Sequence, residues 1–505
     1  MKKTALSLAV AATVAASAQA NMYIDGNNEG EVLIYPFYTA DGGNETYITV
    51  VNTTAHYKAA KVRILEAEDS KEVRDFNLYL SPYDHFSFAI SKGADGYGQL
   101  ETADVSCTVP QIDGPVPFTL QLAEDAKDTN LDPSRTLQGY VEIIEMGQFN
   151  KTAADAKTPV GSLWLHKNGA KPAGCATLVK YWTAGGAWAQ DAAAAPYIGT
   201  TGMIATWDGG GLYGYGMIVN PEKGTAMGYD ATAIDNAIEG NGAVNHYEPG
   251  SVKPNFLSPG FDTESTVFAN GAAANFSYGG TNARLDAVSS TMMTTGITND
   301  YILDDAFDGS TDWVITFPTK RQYVATGVSA ATKKANPADL PFYIAWNGNE
   351  SCDPISYKFW DREEQDYTPD PDEPMFSPAP EYEYDDYEIC YEANVVTFTQ
   401  DLDAADSALF GDDPSVSEAR IQLKLKPYTF EHGWAEISFL QSDLIDPAGY
   451  GRNFHRLPAA TGDTLLGLPA VGFAVVEFEN GTLEGGSIMA NYQAAIEHKT
   501  EVATS

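Results

Sequence analysis

The sequence predicts an all-β protein made of immunoglobulin-like antiparallel β-sandwich domains with long loops. Apolar and polar residues alternate with period two, most clearly over residues 61–66 and 420–426, as in strands with one buried face. Turn signals such as Gly42-Gly43 and Asn480-Gly481 separate the apolar runs, which is typical of sandwiches. Aromatic residues make up 11% of the chain, which excludes a disordered protein because so much ring surface requires a core.

The amino-terminal β-sandwich region is predicted to span residues 21–240. Its first strands are expected at residues 31–38, 46–52, 61–66 and 75–80, where apolar or alternating runs are bounded by turn residues. The side chains expected to face inward include Ile48, Val50, Val62 and Ile64.

The second half is predicted to repeat this strand-rich texture. Residues 241–300 are rich in Gly, Asn, Ser and Ala, so they are expected to form a linker or long loops. A short helix is expected just before them, at residues 231–237. The carboxyl-terminal β-sandwich region is predicted to span residues 301–505, with an acidic, proline-rich insertion at residues 361–392. Its inward side chains are expected to include Ile421, Leu423 and Leu425.

The first twenty residues have the pattern of a removable export signal. Lys2 and Lys3 precede an apolar stretch, and Ala18-Gln19-Ala20 offers the small-x-small pattern that signal peptidase reads. The stretch is too short for a transmembrane helix, so no transmembrane anchor is expected. We therefore expect an exported protein of a Gram-negative bacterium, placed on the extracellular cell surface, with the periplasm as the alternative.

The chain is strongly acidic, with 30 Lys and Arg against 69 Asp and Glu and a net charge of −39. Loss of Lys2 and Lys3 with the leader would lower it to −41. Such a charge repels nucleic acid and favours cations, including divalent ions that bridge acidic surfaces. The alternative is that the acidity only solvates the surface of a halophilic or marine protein.

Four cysteines suit disulfide bonds in an oxidising compartment, and four cysteines allow three connectivities. We expect the pairs closest in sequence, Cys107–Cys175 and Cys352–Cys390, because each then falls within one half of the chain. Zinc binding by these cysteines is the alternative, but the sequence has no CxxC motif and no neighbouring histidine at ligand spacing.

The insertion is one candidate calcium site, because Ca²⁺ takes six to eight oxygen ligands and carboxylates are dense there. The alternative is a solvated acidic loop between two cysteines. The ligands expected there are Asp366, Asp370, Asp372, Glu373, Asp385 and Asp386.

Asp304, Asp308 and Asp312 form a weaker candidate for calcium. They lack the alternating spacing and the closing glutamate of an EF-hand. A turn before the strand that contains Trp313 explains the segment equally well.

Catalytic motifs are absent from the sequence: it contains no GxSxG, HExxH, Walker loop or GxGxxG before a helix. We therefore expect a non-catalytic protein and no catalytic residues. Two alternatives stay open, a secreted hydrolase with an unrecognised site and a secreted glycan-binding module. The module would use exposed aromatic side chains such as Tyr213, Tyr215, Trp182 and Trp188, although core packing explains those rings as readily.

Four segments carry a resemblance to a known family: residues 30–38, residues 49–54, residues 61–66 with 76–84, and residues 312–321. In these strands and turns the chain resembles a family of exported cell-surface proteins of marine gammaproteobacteria, and with its acidity and size it looks like their surface-layer (S-layer) proteins. The resemblance implies a homo-oligomeric array or biofilm matrix component, with divalent cations bridging the protein to lipopolysaccharide. It carries over no active-site residue.

Overall fold

The computed structural model describes most of the chain after residue 20. Strands account for about 51% and helices for about 9% of the described residues. This confirms the predicted all-β fold of packed antiparallel sheets, whereas the immunoglobulin-like topology is not confirmed. The described residues are 21–120, 130–149, 161–186, 188, 210–238, 245–269, 271–304, 306, 308–324, 340–342, 345–346, 350–363, 366–367, 388–400, 406–411, 420–424, 430–440, 455–483 and 488–505.

The amino-terminal half contains fourteen strands among the described residues. In chain order they are β1 (Tyr23–Ile24), β2 (Glu29–Gly30), β3 (Val32–Thr39), β4 (Glu45–Asn52), β5 (Tyr57–Glu66), β6 (Glu72–Leu80), β7 (His85–Lys92), β8 (Gly98–Glu101), β9 (Cys107–Val109), β10 (Val116–Pro117), β11 (Gln138–Phe149), β12 (Leu212–Asn220), β13 (Thr225–Asp230) and β14 (Thr232–Asp235). Strand β14 occupies the place where a helix was expected, so that prediction is wrong.

The second half adds the remaining strands. They are β15 (Glu264–Ala269), β16 (Ala272–Ser277), β17 (Met293–Thr294), β18 (Gly296–Ile302), β19 (Gly309–Thr316), β20 (Asp353–Pro354), β21 (Ser356–Asp361), β22 (Asp366–Tyr367), β23 (Glu388–Ile389), β24 (Ala393–Thr399), β25 (Arg420–Lys424), β26 (His432–Ser438), β27 (Arg456–Pro458), β28 (Thr464–Leu466), β29 (Leu468–Pro469), β30 (Val471–Leu483), β31 (Ile488–Glu497) and β32 (Lys499–Thr500).

Helices in the described residues are short. They are α1 (Cys175–Tyr181), α2 (Ala283–Thr291) and α3 (Lys320–Val324), with 3-10 turns at Pro133–Leu137 and Gly161–Trp164. No helix among the described residues is long and apolar enough to cross a membrane.

Two sheets form the amino-terminal sandwich. Sheet I has the order β1-β14-β3-β11-β5-β6-β9, and sheet II has the order β10-β8-β7-β4-β12-β13, with β2 beside β12. The predicted inward residues Ile48 and Val50 of sheet II and Val62 and Ile64 of sheet I are fully buried in one shared core. The period-two pattern therefore identified the packed faces correctly.

Two five-stranded sheets form the carboxyl-terminal half. Sheet III has the order β22-β21-β26-β18-β32, and sheet IV has the order β25-β24-β19-β30-β31. The β24–β25 pair is parallel, while the other pairings of these two sheets are antiparallel. Ile421 and Leu423 lie in β25, but the burial of their side chains is not described. Leu425 lies outside the described residues.

Sheet IV is a middle layer that joins the two halves. Val314 and Val475 on one face belong to the core of the amino-terminal sandwich. Trp313 and Ala474 on the other face belong to the core shared with sheet III. Thr316 Oγ1 also donates a hydrogen bond to the Pro36 carbonyl at 2.6 Å. Each face of sheet IV therefore packs into a different hydrophobic core.

Residues 241–300 contribute to the core where the structure describes them, which differs from the expected linker or long loops. They include the β15–β16 hairpin, α2 and most of β18. Phe256, Phe261, Phe276 and Leu285 are buried in the core that also holds Trp313. Small residues dominate the composition, but a few large apolar side chains at intervals are sufficient to anchor the segment.

Both predicted cysteine pairs are at disulfide distance, with S–S separations of 1.92 Å for Cys107–Cys175 and 2.14 Å for Cys352–Cys390. The first bond ties α1 to the β9 edge of sheet I. The second lies beside the β20–β23 pair, in which Asp353 is opposite Ile389. The base of the 361–392 insertion is therefore closed by a short ladder and a covalent bond.

Candidate functional site

The outer surface of sheet III presents two stacked indoles, one half-buried and one exposed. Trp360 on β21 is directly opposite Trp434 on β26. Their ring centroids are 3.9 Å apart, the ring planes are 11° from parallel, and Trp434 is 40% exposed. His432 and Glu436 share this outer surface with Trp434 because successive side chains of a strand alternate between its two faces. We call the surface formed by Trp360, His432, Trp434 and Glu436 the β26 face.

Gly433 permits the close approach of strands beneath the β26 face. A Cβ atom at this position would lie 1.8 Å from the Trp360 carbonyl oxygen and 2.6 Å from the Tyr301 hydroxyl. The Tyr301 hydroxyl instead donates a hydrogen bond to that carbonyl at 3.0 Å. Glycine at position 433 thus allows β21 and β26 to approach closely, and Trp360 and Trp434 stack across this pair of strands.

A cluster of metal-ligating side chains lies at the end of the β26 face. Donor atoms of Asp304, Glu431 and His432 all lie within 4.8 Å of one another. His432 Nε2 donates to Asp304 Oδ2 at 2.6 Å, and the Ala306 N–H donates to Asp304 Oδ1 at 2.8 Å. These two hydrogen bonds lower the pKa of Asp304, the one from His432 most. The cluster therefore presents ionised carboxylate beside imidazole.

Of the three aspartates predicted as a calcium site, Asp304 alone belongs to this cluster. Asp312 is fully buried. Its Oδ1 accepts from Thr397 at 2.6 Å, and its Oδ2 accepts from the Leu409 N–H at 2.9 Å. Asp308 adopts a left-handed turn with φ 49° before β19. Asp304 is joined instead by Glu431 and His432, which the sequence pattern did not identify.

The acidic insertion meets sheet III at its β22 edge. Asp366 is opposite Trp360 in the β21–β22 pair. The other ligands expected in the insertion lie outside the described residues: Asp370, Asp372, Glu373, Asp385 and Asp386. Calcium binding by the insertion stays a prediction.

A second exposed aromatic surface lies on the outer side of sheet II. Tyr47 is opposite Met217, and Thr49 is opposite Tyr215, in the β4–β12 pair. Tyr47, Met217 and Tyr215 are 37%, 37% and 36% exposed. Tyr213 lies two positions before Tyr215 on β12, with 6.2 Å between the ring centroids. We call Tyr47, Tyr213, Tyr215 and Met217 the tyrosine face.

The two tryptophans suggested for glycan binding have a different environment. Trp188 is only 2% exposed, and Trp182 packs against the buried cluster that contains it. Trp182 Nε1 donates to the Tyr79 hydroxyl at 2.8 Å, and that hydroxyl lies 3.0 Å from His246 Nε2. These two indoles therefore belong to the packed interior, which was the alternative to a role in glycan binding.

A cleft of about 540 Å³ separates β13 from the β17 and β30 region. Tyr229 and Phe473 in its lining stack at 4.6 Å. His498 also lines it, but its Nε2–H donates to the Val314 carbonyl at 3.0 Å and its Nδ1 accepts from Asn299 at 3.1 Å. Burial lowers the pKa of His498 to about 4. Its imidazole is therefore neutral near pH 7, with both nitrogens engaged by the fold.

Comparison of the chain with known protein-family models, with curated proteins and with solved structures found no match.

Proposed function

We propose that this protein is an exported, non-catalytic structural component that self-assembles on the surface of a Gram-negative cell, as a surface layer or biofilm matrix. The tyrosine face carries the proposal. Tyr47, Tyr215 and Met217 are each more than one-third exposed at neighbouring positions of sheet II. Aromatic residues and methionine are enriched at protein interfaces, and clustered exposure of this kind is typical of a binding surface.

A second copy of the chain is the occupant that we propose for the tyrosine face. An exposed sheet surface can pair with itself about a two-fold axis, because each tyrosine then meets the same patch on the other copy. Such a pair is a closed dimer, which further contacts would extend into an array. Exposed apolar side chains continue on β31, where Met489 is 51% and Tyr492 is 62% exposed. The export signal and the family resemblance of the sequence support the same placement at the cell surface.

Divalent cations are proposed to assist this assembly. Copies with a net charge near −40 repel one another strongly unless counterions gather between them. Calcium or magnesium would also bridge carboxylates of the protein to anionic groups of lipopolysaccharide. Assembly should then respond to chelation, while the fold of a single copy should not.

The test uses the mature chain in light scattering and electron microscopy, with millimolar calcium or with a chelator. We expect ordered assemblies in calcium and their loss in chelator. Tyr215→Ser should weaken assembly at least tenfold in critical concentration. The matched control is Tyr83→Ser, because Tyr83 is 70% exposed on the β6–β7 turn and lies outside the tyrosine face. A chain that stays monomeric in calcium, together with cells that show no surface array, would overturn the proposal.

A glycan-binding surface is the second candidate, and the indole pair of the β26 face favours it. Exposed indole rings pack against the C–H faces of sugar rings. Asp300, opposite Trp434, and Lys358, opposite Glu436, are exposed around the pair and offer hydrogen bonds to hydroxyl groups. Titration of the chain with lipopolysaccharide-derived glycans should quench indole fluorescence, and Trp434→Ala should abolish the binding. Equal binding by Trp434→Ala would remove this candidate.

A further inference from the structure

The cluster of Asp304, Glu431 and His432 is built by the sheet rather than by a mobile loop. Ile302 at the end of β18 is directly opposite His432 at the start of β26. The Leu303 N–H extends this ladder by donating to the Glu431 carbonyl at 2.6 Å. The residues that follow β18 and precede β26 are thereby held side by side, so the three donor groups are brought together before any ligand arrives.

We propose that Asp304, Glu431 and His432 form a binding site for a zinc-class divalent metal ion. An imidazole nitrogen with two carboxylates is a mixed donor set, which suits Zn²⁺, Co²⁺ or Ni²⁺. Calcium is a poor match because it takes six to eight oxygen ligands. The site thus differs in metal class from the calcium bridges of the proposed function.

The distances are compatible with tetrahedral coordination after a small adjustment. Two ligands that are each about 2.0 Å from zinc lie about 3.3 Å apart in a tetrahedron. His432 Nε2 and Asp304 Oδ2 are 2.6 Å apart, while all three donors lie within 4.8 Å. Metal would therefore replace the His432–Asp304 hydrogen bond, His432 would bind through Nε2 in the neutral tautomer that carries its proton on Nδ1, and the donors would move by about an ångström or less.

The site is open to solvent on one side. The side chains of His432 and Asp304 are 19% and 15% exposed, and Glu431 is exposed. Three protein ligands leave the fourth tetrahedral position for water or for an outside ligand. If the chain assembles as proposed, a carboxylate of a second copy would complete the coordination and make the site a metal bridge between copies.

The experiment is calorimetric titration of the mature chain with zinc chloride and, separately, with calcium chloride. We expect one zinc ion per chain at this site, with His432→Ala and Asp304→Asn each lowering zinc affinity at least tenfold. Calcium affinity should stay unchanged in both variants. Thermal unfolding of each metal-free variant checks that the fold is intact, and Asp304→Asn preserves shape if His432→Ala does not fold.

The matched control is His166→Ala. His166 Nε2 lies 3.4 Å from Asp84 Oδ2, and these side chains are 23% and 10% exposed, but they are not part of a three-donor group among the described residues. This variant should bind zinc like the parent chain.

Cobalt substitution should give a visible spectrum of tetrahedral coordination that His432→Ala lacks. Undiminished zinc affinity in folded His432→Ala and Asp304→Asn would overturn the proposal. Zinc binding is measured on the single chain, so its failure is distinct from a failure of calcium-dependent assembly.

Discussion

Lys58 Nζ lies 2.6 Å from Glu145 Oε2, and neither side chain is exposed to solvent. The pair links neighbouring strands β5 and β11 of sheet I. Lys58 also donates to the Gly210 carbonyl at 2.5 Å, so its ammonium group has two buried acceptors, one of them a carboxylate. Burial raises the pKa of Glu145, and Lys58 opposes that effect. A buried ion pair of this kind depends on both partners, because either charge alone would remain desolvated.

Lys58→Met should therefore lower the free energy of unfolding by about 3–5 kcal/mol. The double variant Lys58→Met/Glu145→Met should lose less than the sum of the two single variants, because it leaves no unpaired charge. Urea denaturation of the four proteins provides the double-mutant cycle. Additive losses would show that the two charges are not coupled.

The buried carboxyl group of Glu392 leads us to expect that stability depends on pH. Burial raises its pKa from 4.5 to about 8, and the charge of Lys320 offsets this effect only partly. The folded state therefore holds a proton that the unfolded chain releases above pH 4.5. Stability from this group is present below pH 4.5 and is lost as pH rises through about 8, with a slope of up to about 1.4 kcal/mol per pH unit.

Glu392→Gln should flatten this loss between pH 6.5 and 8. Glutamine can still accept the hydrogen bonds that the Arg321 N–H and Ser70 hydroxyl donate to Glu392. Glu222→Gln is the control because Glu222 is exposed. Denaturant titrations across this range give the slope directly. If Glu392→Gln follows the pH profile of the parent chain, Glu392 does not hold the proton.

The Cys107–Cys175 bond should contribute substantially to stability because it closes a loop of 68 residues. Replacing both cysteines by serine should lower the free energy of unfolding by about 4 kcal/mol on the chain-entropy model. Thermal and urea unfolding of the oxidised parent and the double variant measure the loss. An unchanged midpoint would mean that the bond does not constrain the unfolded chain.

The packed faces could be predicted from the sequence because period-two alternation is local. Val62 and Ile64 are buried as expected, yet Lys61 and Arg63 on the opposite face of β5 are buried as well. Arg63 pairs with Glu142 at 2.7 Å, and Lys61 donates to the Glu248 carbonyl, 187 positions away in sequence. Charged residues at alternate positions normally indicate solvent, so the covering segment could not be anticipated from the strand itself.

The candidate site shows the same limit. Asp304 was identified as a possible ligand, but His432 is 128 positions away and reaches it only through the β18–β26 pairing. Local ligand spacing cannot reveal a site that non-local strand pairing creates. The alternation of residues 433–439 did contain one usable signal, because it places Trp434 on the outer face of its strand, where a large indole needs an explanation.

The acidic insertion gives the last prediction. Replacing Asp366, Asp370, Asp372 and Glu373 by their amides should weaken calcium-dependent assembly without unfolding the chain. Asp366 pairs with Trp360 at the β22 edge of sheet III, and the Cys352–Cys390 bond closes the base of the insertion. We expect the dense carboxylates of the segment to bind bridging cations, because Ca²⁺ prefers oxygen ligands.

The matched control neutralises four exposed acids elsewhere, Glu222, Glu264, Asp463 and Glu501, and changes the net charge equally. If general repulsion limits assembly, both variants should assemble more readily, since like charges repel less after neutralisation. If the insertion supplies the bridging ligands, only the insertion variant should require more calcium, which electron microscopy and light scattering across a calcium series would measure. Equal calcium requirements for both variants and the parent would move the bridging sites to other acidic surfaces of the chain.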